Sequence, residues 1–192
     1  MRSHIAVVAI LMLPVTSCAQ KSIPAEQQIA LAVLPLPNSF RAGASVLGYD
    51  SHGKLVTLRK GSGVMTCLGT NPADSMFHAA CYANSMEPFM AAGRALRNRK
   101  VANVDSARFA EVKAGTIPMP SQPAALWGLD GPMSGVDVAK GTVTSAIKLR
   151  YLLYMPYATA AATGLPDQPI SNGPWLMDAG TAKAHIMFTP TM

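Results

Sequence analysis

The chain has 192 residues, of which 49% are hydrophobic and 14% are charged, and its formal net charge is +6. This length suits one domain of ordinary size that can bury a real hydrophobic core. The charge is modest, which argues against a protein that binds nucleic acid.

A leader typical of exported proteins opens the chain. Arg2 is soon followed by nine consecutive apolar residues, from Ile5 to Leu13, and then by Pro14. A run this short cannot span a bilayer core, which needs about 20 apolar residues, whereas the central region of a signal peptide needs about 7 to 15. We therefore predict that residues 1–17 are a cleaved signal peptide.

Residues 15–18 have the sequence Val-Thr-Ser-Cys, which resembles the lipobox of bacterial lipoproteins. That pattern usually has Leu at the first of these positions and Gly or Ala at the third. The resemblance implies that Cys18 receives a lipid, that residues 18–24 tether the protein to a membrane, and that Ala19 directs it to the periplasmic face of the outer membrane. The alternative is ordinary cleavage near Ala19, which would remove Cys18.

The first half of the mature chain is predicted to hold one helix and three strands. Apolar residues at helical spacing predict a helix over residues 25–34. Strands are predicted over residues 44–49 and 54–59, joined as a hairpin by a turn in which Gly53 supplies a positive φ. A third strand is predicted over residues 64–68, and we expect the three strands to form a meander.

The second half is predicted to hold two helices and then more strands. One helix covers residues 85–98, and the next covers residues 105–114, is capped by Asp105 or Ser106 and stops at Gly115. Strands are predicted over residues 124–129, 147–155 and 184–189. The only dense basic cluster consists of Arg94, Arg97, Arg99 and Lys100. We expect it to be a solvated helix end, with an anionic lipid or polymer as the alternative.

This order of elements, with strands followed by helices and then by further strands, is typical of an α+β fold. We predict a single globular domain over residues 25–192, with a mainly antiparallel sheet and two or three helices. A partly closed β-barrel is the structural alternative.

Two cysteines remain after Cys18, and an exported protein is expected to pair them. A Cys67–Cys81 disulfide would stabilise the fold by about 3 kcal/mol in the chain-entropy model. The alternative is a metal site. His78 and Cys81 would share a face if their segment were helical, and Met86 and Met90 at an i, i+4 spacing offer soft sulfur ligands for copper(I). Methionine more often fills irregular cores, so we predict no cofactor.

The chain lacks the usual catalytic motifs, including a Gly-x-Ser-x-Gly elbow and a His-Glu-x-x-His helix. The best candidate for acid–base chemistry is His185, which opens the last strand, with Asp178 as a partner that could orient its ring. His52 and His78 are expected to be a solvated turn residue and a half-buried structural residue.

Aromatic side chains give a second set of candidates. Tyr151 and Tyr157 share a strand parity, whereas Tyr154 faces the other way. We predict that Tyr154, Trp175 and His185 contribute to ligand binding, together with the Gly/Pro-rich loop over residues 163–180, because loops on a rigid sheet often carry recognition.

Three functions follow as hypotheses. The leading one is an exported, membrane-anchored lipoprotein whose domain binds a ligand or an envelope protein without catalysis. The second is a metal or haem carrier that uses histidine and methionine ligands. The third is a hydrolase-like enzyme with His185 as its base.

Overall fold

The computed structural model describes residues 23–171 and 173–188. The predicted signal peptide, Cys18 and the tether up to residue 22 lie outside the described residues.

Ten strands are present in the described residues. In chain order they are β1 (Ser45–Tyr49), β2 (Leu55–Arg59), β3 (Met65–Leu68), β4 (Met76–Ala83), β5 (Ala124–Pro132), β6 (Val136–Asp137), β7 (Thr142–Val143), β8 (Lys148–Tyr154), β9 (Trp175–Met177) and β10 (His185–Phe188). Eight of them form one sheet in the order β2-β1-β3-β4-β5-β8-β10-β9, and β6 and β7 form a separate hairpin.

The described residues also form five α-helices, which are α1 (Ala25–Ala32), α2 (Asn38–Arg41), α3 (Glu87–Asn98), α4 (Val104–Lys113) and α5 (Ala160–Thr163). All neighbouring strands of the sheet are antiparallel except β1 and β3. The predicted α+β fold with a mainly antiparallel sheet is therefore confirmed. Across the described strands the sheet stays open, with β2 and β9 at its edges, and does not close into a barrel. None of the described helices is long and apolar enough to cross a membrane.

Helices cover both faces of the sheet. On one face, α1 packs against a buried cluster that contains Val46 and the two paired cysteines. On the opposite face, α3 packs against a cluster that contains Tyr82 and Phe89. We call these the α1 face and the α3–α4 face. Each strand alternates between them, so Phe77 and Ala79 of β4 are buried on the α1 face, and Tyr82 is buried on the other.

The Cys67–Cys81 disulfide is confirmed. Cys67 in β3 lies directly opposite Cys81 in β4, and the S–S distance is 2.08 Å. Both residues are fully buried beneath α1. The disulfide therefore joins two central strands of the sheet.

The β1–β2 hairpin is also confirmed, and Gly53 has a φ of 72°. The predicted meander is wrong, because β3 pairs with β1 in parallel on the side away from β2. Between β2 and β3 the chain passes through two glycines that lie in close contact with the backbone just before β1. A Cβ at Gly61 would lie 2.2 Å from the Gly43 carbonyl oxygen, so only glycine fits there.

Two further local predictions are corrected. The α4 helix is capped by Asn103, whose side chain accepts a hydrogen bond from the Ser106 backbone N–H at 2.9 Å, and not by Asp105 or Ser106. Residues 76–83, which the sequence left without a predicted element, form the long central strand β4. His78 and Cys81 are thus an odd number of strand positions apart and lie on opposite faces of the sheet.

Candidate functional site

Of the predicted catalytic pair, His185 is buried and Asp178 is half-buried. His185 is only 4% exposed, and its Nδ1 lies 2.7 Å from the Lys183 carbonyl oxygen. Burial lowers the pKa of His185, which keeps the ring neutral. Asp178 does not orient this ring. Its Oδ2 instead lies 3.5 Å from Lys183 Nζ and accepts no hydrogen bond within the described part of the chain.

The predicted ligand-binding aromatics share this interior. Tyr154 lies opposite His185 in the β8–β10 pair, with the two ring centroids 5.3 Å apart. Burial raises the pKa of Tyr154 to about 12. Trp175 is half-buried against the same cluster. The structure therefore brings Tyr154, Trp175 and His185 to one face of the sheet, but as packed side chains.

The α4 helix carries a buried arginine, Arg108, beside this region. Arg108 is 5% exposed, its guanidinium lies 4.0 Å from the centre of the Phe89 ring, and it forms an ion pair with Asp105. Lys183 Nζ lies 2.9 Å from the other Asp105 oxygen. Because Lys183 precedes β10, these ion pairs link α4 to the chain segment just before β10. We call it the Asp105 network.

A second carboxylate lies between a histidine and an arginine on the exposed part of the α3–α4 face. Asp130 pairs with His78 across the β4–β5 register, and Oδ1 contacts His78 Nδ1. Arg150 of β8 donates to Asp130 Oδ2, from Nε at 2.7 Å and also from Nη2. Burial alone would raise the pKa of Asp130, but the hydrogen bonds from His78 and Arg150 lower it. We call this the Asp130 network.

Sequence reasoning missed Asp130 and Arg150, because only the strand register brings them beside His78. The pairing of a carboxylate with one imidazole nitrogen can orient a general base. Across the described residues, however, no hydroxyl or thiol is hydrogen-bonded to the His78 ring. The arrangement is that of a surface ion cluster with an oriented imidazole.

The predicted metal ligands do not converge. Met86 is fully buried in the cluster beneath α3, with Met90 packed against it, whereas the His78 side chain is 53% exposed. In the part of the chain that the structure describes, no three His, Cys, Asp or Glu residues lie close enough together to hold a metal ion.

A cavity of about 480 Å³ lies where β5 begins and β8 ends. Its walls are residues 119–123, 155–158 and 162–163, which include Pro120, Pro123 and Pro156. We call it the proline-walled pocket. Tyr157 at its rim is 54% exposed and has a φ of 63°, a backbone conformation that few residues other than glycine adopt. Its backbone N–H donates to the Thr181 carbonyl oxygen at 2.8 Å, which holds it there.

No protein-family model matches this chain, and no curated protein or solved structure matches it.

Proposed function

We propose that this chain is an exported bacterial lipoprotein, anchored through Cys18 to the periplasmic face of the outer membrane, whose domain binds a small apolar ligand without catalysis. The observation that carries the binding part of the proposal is the proline-walled pocket with Tyr157 at its rim. Export is supported by the leader and by the Cys67–Cys81 disulfide, because such bonds persist in oxidising compartments.

The pocket has the size and chemistry of a ligand site. Small-molecule sites measure about 300–1,000 Å³ and combine apolar walls with a few polar groups. Three prolines stiffen the walls here, Met119 and Met155 add apolar surface, and Ser121, Gln122 and Thr163 supply hydrogen-bonding groups. Proline fixes its own φ, so ordering such a wall around a ligand costs little entropy.

The conformation of Tyr157 supports the same proposal. A residue other than glycine at positive φ costs on the order of 1–3 kcal/mol, and such strain is found at ligand clamps and active sites. At Tyr157 this conformation leaves an aromatic ring exposed at the rim of the pocket. Rings with an apolar body and a polar tip are well suited to contact ligands.

The competing functions have weaker support. A hydrolase with His185 as its base needs that ring open to substrate, and it is buried against Tyr154. A metal or haem carrier needs its ligands together, and His78 lies apart from the buried Met86.

The test uses the mature chain, residues 18–192, with Cys18→Ser to keep it free of lipid. Titration with the neutral fluorescent probe N-phenyl-1-naphthylamine should give saturable binding, and Tyr157→Asn should weaken it at least tenfold. Asparagine tolerates a positive φ, so this substitution removes the ring and keeps the backbone. Phe40→Ala removes an equally exposed ring from α2 and should leave the affinity unchanged. Equal losses in the two variants would refute the assignment of the pocket.

The anchor is tested separately. The intact mass of the protein purified from bacterial membranes should show an acylated Cys18 at the new amino terminus. A mature chain that begins after Cys18 would refute the lipoprotein part of the proposal and leave the pocket untouched.

A further inference from the structure

A second cavity, of about 360 Å³, lies at the other end of the sheet, where β1 ends and β2 begins. Its polar lining consists of Tyr49, Lys54, Asn71, Arg94, Arg97 and Asn98. Gly53, Leu55 and Leu68 complete the walls. Three cations, two carboxamides and a phenol thus surround one space, and no carboxylate of the described residues lines it. We call it the basic cavity.

The cations of the basic cavity are only partly neutralised. Arg94 is held in place by Glu87 at 2.5 Å and by the Tyr82 hydroxyl at 2.9 Å. Lys54 and Arg97 form no ion pair with any described residue. Burial is the main cause that lowers the pKa of Arg97, and repulsion by the neighbouring charges of Arg108 and Arg94 lowers it further, while Asp105 acts in the opposite direction. A bound anion would relieve this repulsion.

The hydroxyl of Tyr49 adds a hydrogen-bond donor. Burial, and next the charge of nearby Asp74, raise the pKa of Tyr49, so its hydroxyl stays protonated. The basic cavity therefore offers guanidinium, ammonium, phenol and amide donors together. Guanidinium groups are the preferred partners of phosphate oxygens because their fork geometry matches them.

The tether enters the domain at this same end of the sheet. The Gln28 side chain donates to the carbonyl oxygens of Ile23 at 2.7 Å and of Tyr49 at 2.8 Å, and it accepts from the Tyr49 N–H at 2.8 Å. Gln28 is buried, so this junction is firmly fixed. The five peptide links from Cys18 to Ile23 can span at most about 18 Å. A lipid on Cys18 would therefore hold this end of the sheet close to a membrane surface.

We propose that the basic cavity receives the phosphate headgroup of an anionic lipid in the leaflet to which Cys18 is anchored. This inference rests on the proposed lipidation of Cys18. It also gives the domain an orientation. Tyr82 pairs with Leu126 and Met76 pairs with Pro132, so the proline-walled pocket lies where β4 ends and the basic cavity lies where β4 begins. With the basic cavity on the membrane, the pocket opens away from it.

The experiment measures binding of the mature Cys18→Ser chain to sedimented vesicles at low salt. Vesicles of phosphatidylglycerol and phosphatidylcholine in equal amounts are compared with vesicles of phosphatidylcholine alone. We expect clear preference for the anionic vesicles. Lys54→Ala combined with Arg97→Ala should reduce the partition coefficient about 30-fold, since each Lys or Arg near an anionic leaflet contributes about a factor of five.

The matched control is Lys60→Ala combined with Lys113→Ala, which removes the same charge from exposed positions outside the cavity. It should reduce partitioning less than threefold. An equal loss in both double variants would overturn the proposal, because bulk charge would then explain the binding. Glycerol phosphate that binds the free protein as tightly as the vesicles do would overturn the lipid source in favour of a soluble phosphate. Because these vesicles test a chain without an anchor, failure here is distinct from a failure of lipidation, which the intact mass reports.

Discussion

Two carboxylates in this protein, Asp105 and Asp130, each contact two basic side chains, but those side chains lie in different surroundings. The Asp105 side chain is 41% exposed and that of Asp130 is 29% exposed, so the carboxylates themselves do not make the difference. In the Asp105 network the Arg108 side chain is 7% exposed and stacked on an aromatic ring, and the Lys183 side chain is 26% exposed. In the Asp130 network the side chains of His78 and Arg150 are 53% and 40% exposed. The two networks therefore differ in how deeply their basic side chains are buried.

The burial of the basic side chains determines how much each network contributes to the stability of the fold. A buried guanidinium contributes to stability through its packing and its charge-assisted hydrogen bonds, whereas exposed ion pairs contribute about 0.2–1 kcal/mol. The Asp105 network is therefore a structural link between α4 and the chain before β10. We expect the Asp130 network, whose basic side chains are largely exposed, to contribute less.

Arg108→Ala should produce the largest difference between the two networks. It removes the packing of a buried guanidinium on Phe89 and one of the two partners of Asp105, which keeps Lys183, so we expect a loss of about 2 kcal/mol in the free energy of unfolding. Arg150→Ala, the equivalent change beside Asp130, should cost less than about 1 kcal/mol. Urea unfolding followed by circular dichroism measures both. Similar losses would show that burial does not distinguish the networks.

A pair of glycines sharpens the comparison without removing any charge. A Cβ at Gly93 of α3 would lie 2.8 Å from Arg108 Nη1 and 3.1 Å from its Cζ, and this guanidinium is confined by Phe89. Gly93→Ala should therefore destabilise the protein by about 1–2 kcal/mol, despite the better helix propensity of alanine. At Gly128, beside Asp130, the nearest atom to a Cβ is 3.7 Å away.

Gly128→Ala is thus the matched control, and its unfolding midpoint in urea should correspond to a change within about 0.5 kcal/mol. A stabilised Gly93→Ala variant would mean that Arg108 can move aside, and the Asp105 network would then be less rigid than its geometry indicates.

The elements of the fold could be predicted from sequence where the signal was local. The β1–β2 hairpin followed from the positive φ of Gly53, and the end of α4 followed from Gly115, whose φ is 75°. The parallel pairing of β1 with β3 could not be predicted, because it depends on a close approach between glycines that are 18 residues apart, Gly43 and Gly61. Strand β4 was not predicted, because its alanines have a low propensity to form strands.

The candidate sites were harder to predict than the fold. His185 and Asp178 are near each other in sequence, but they contact different parts of Lys183 and not each other: His185 contacts its carbonyl oxygen, and Asp178 contacts its Nζ. His78 and Asp130 are 52 residues apart and touch. Only the register of β4 against β5 places them together, and that register is decided by which strand faces are buried. The spacing of these residues in the sequence gives no indication of this register.

The buried His185 should lower the stability of the protein in mild acid. Burial lowers the pKa of His185 below its ordinary value of 6.5, so the stability that it contributes is fully present above pH 6.5 and is lost as the pH falls through its folded pKa. The loss from one such group cannot exceed about 1.4 kcal/mol per pH unit. In urea titrations from pH 7.5 to 5, His185→Gln should flatten the decline in stability relative to the wild-type protein. An unchanged slope in His185→Gln would contradict this assignment.

Asp130→Asn should give the smallest effect, because the basic side chains that contact this carboxylate, His78 and Arg150, are 53% and 40% exposed. Removing its charge should cost about 0.5–1 kcal/mol at pH 7 and low salt, and less at 1 M salt, where exposed pairs are screened. Its partners lower the pKa of Asp130 below the ordinary 3.8, so the stability it contributes is present above that pH and disappears as the pH falls through the folded pKa. The stability curves of the wild-type protein and Asp130→Asn should therefore converge in strong acid. A gap that is as wide in acid or in high salt as at neutral pH would mean that hydrogen bonding and shape at Asp130, rather than charge, hold these three strands together, and the Asp130 network would then resemble the Asp105 network after all.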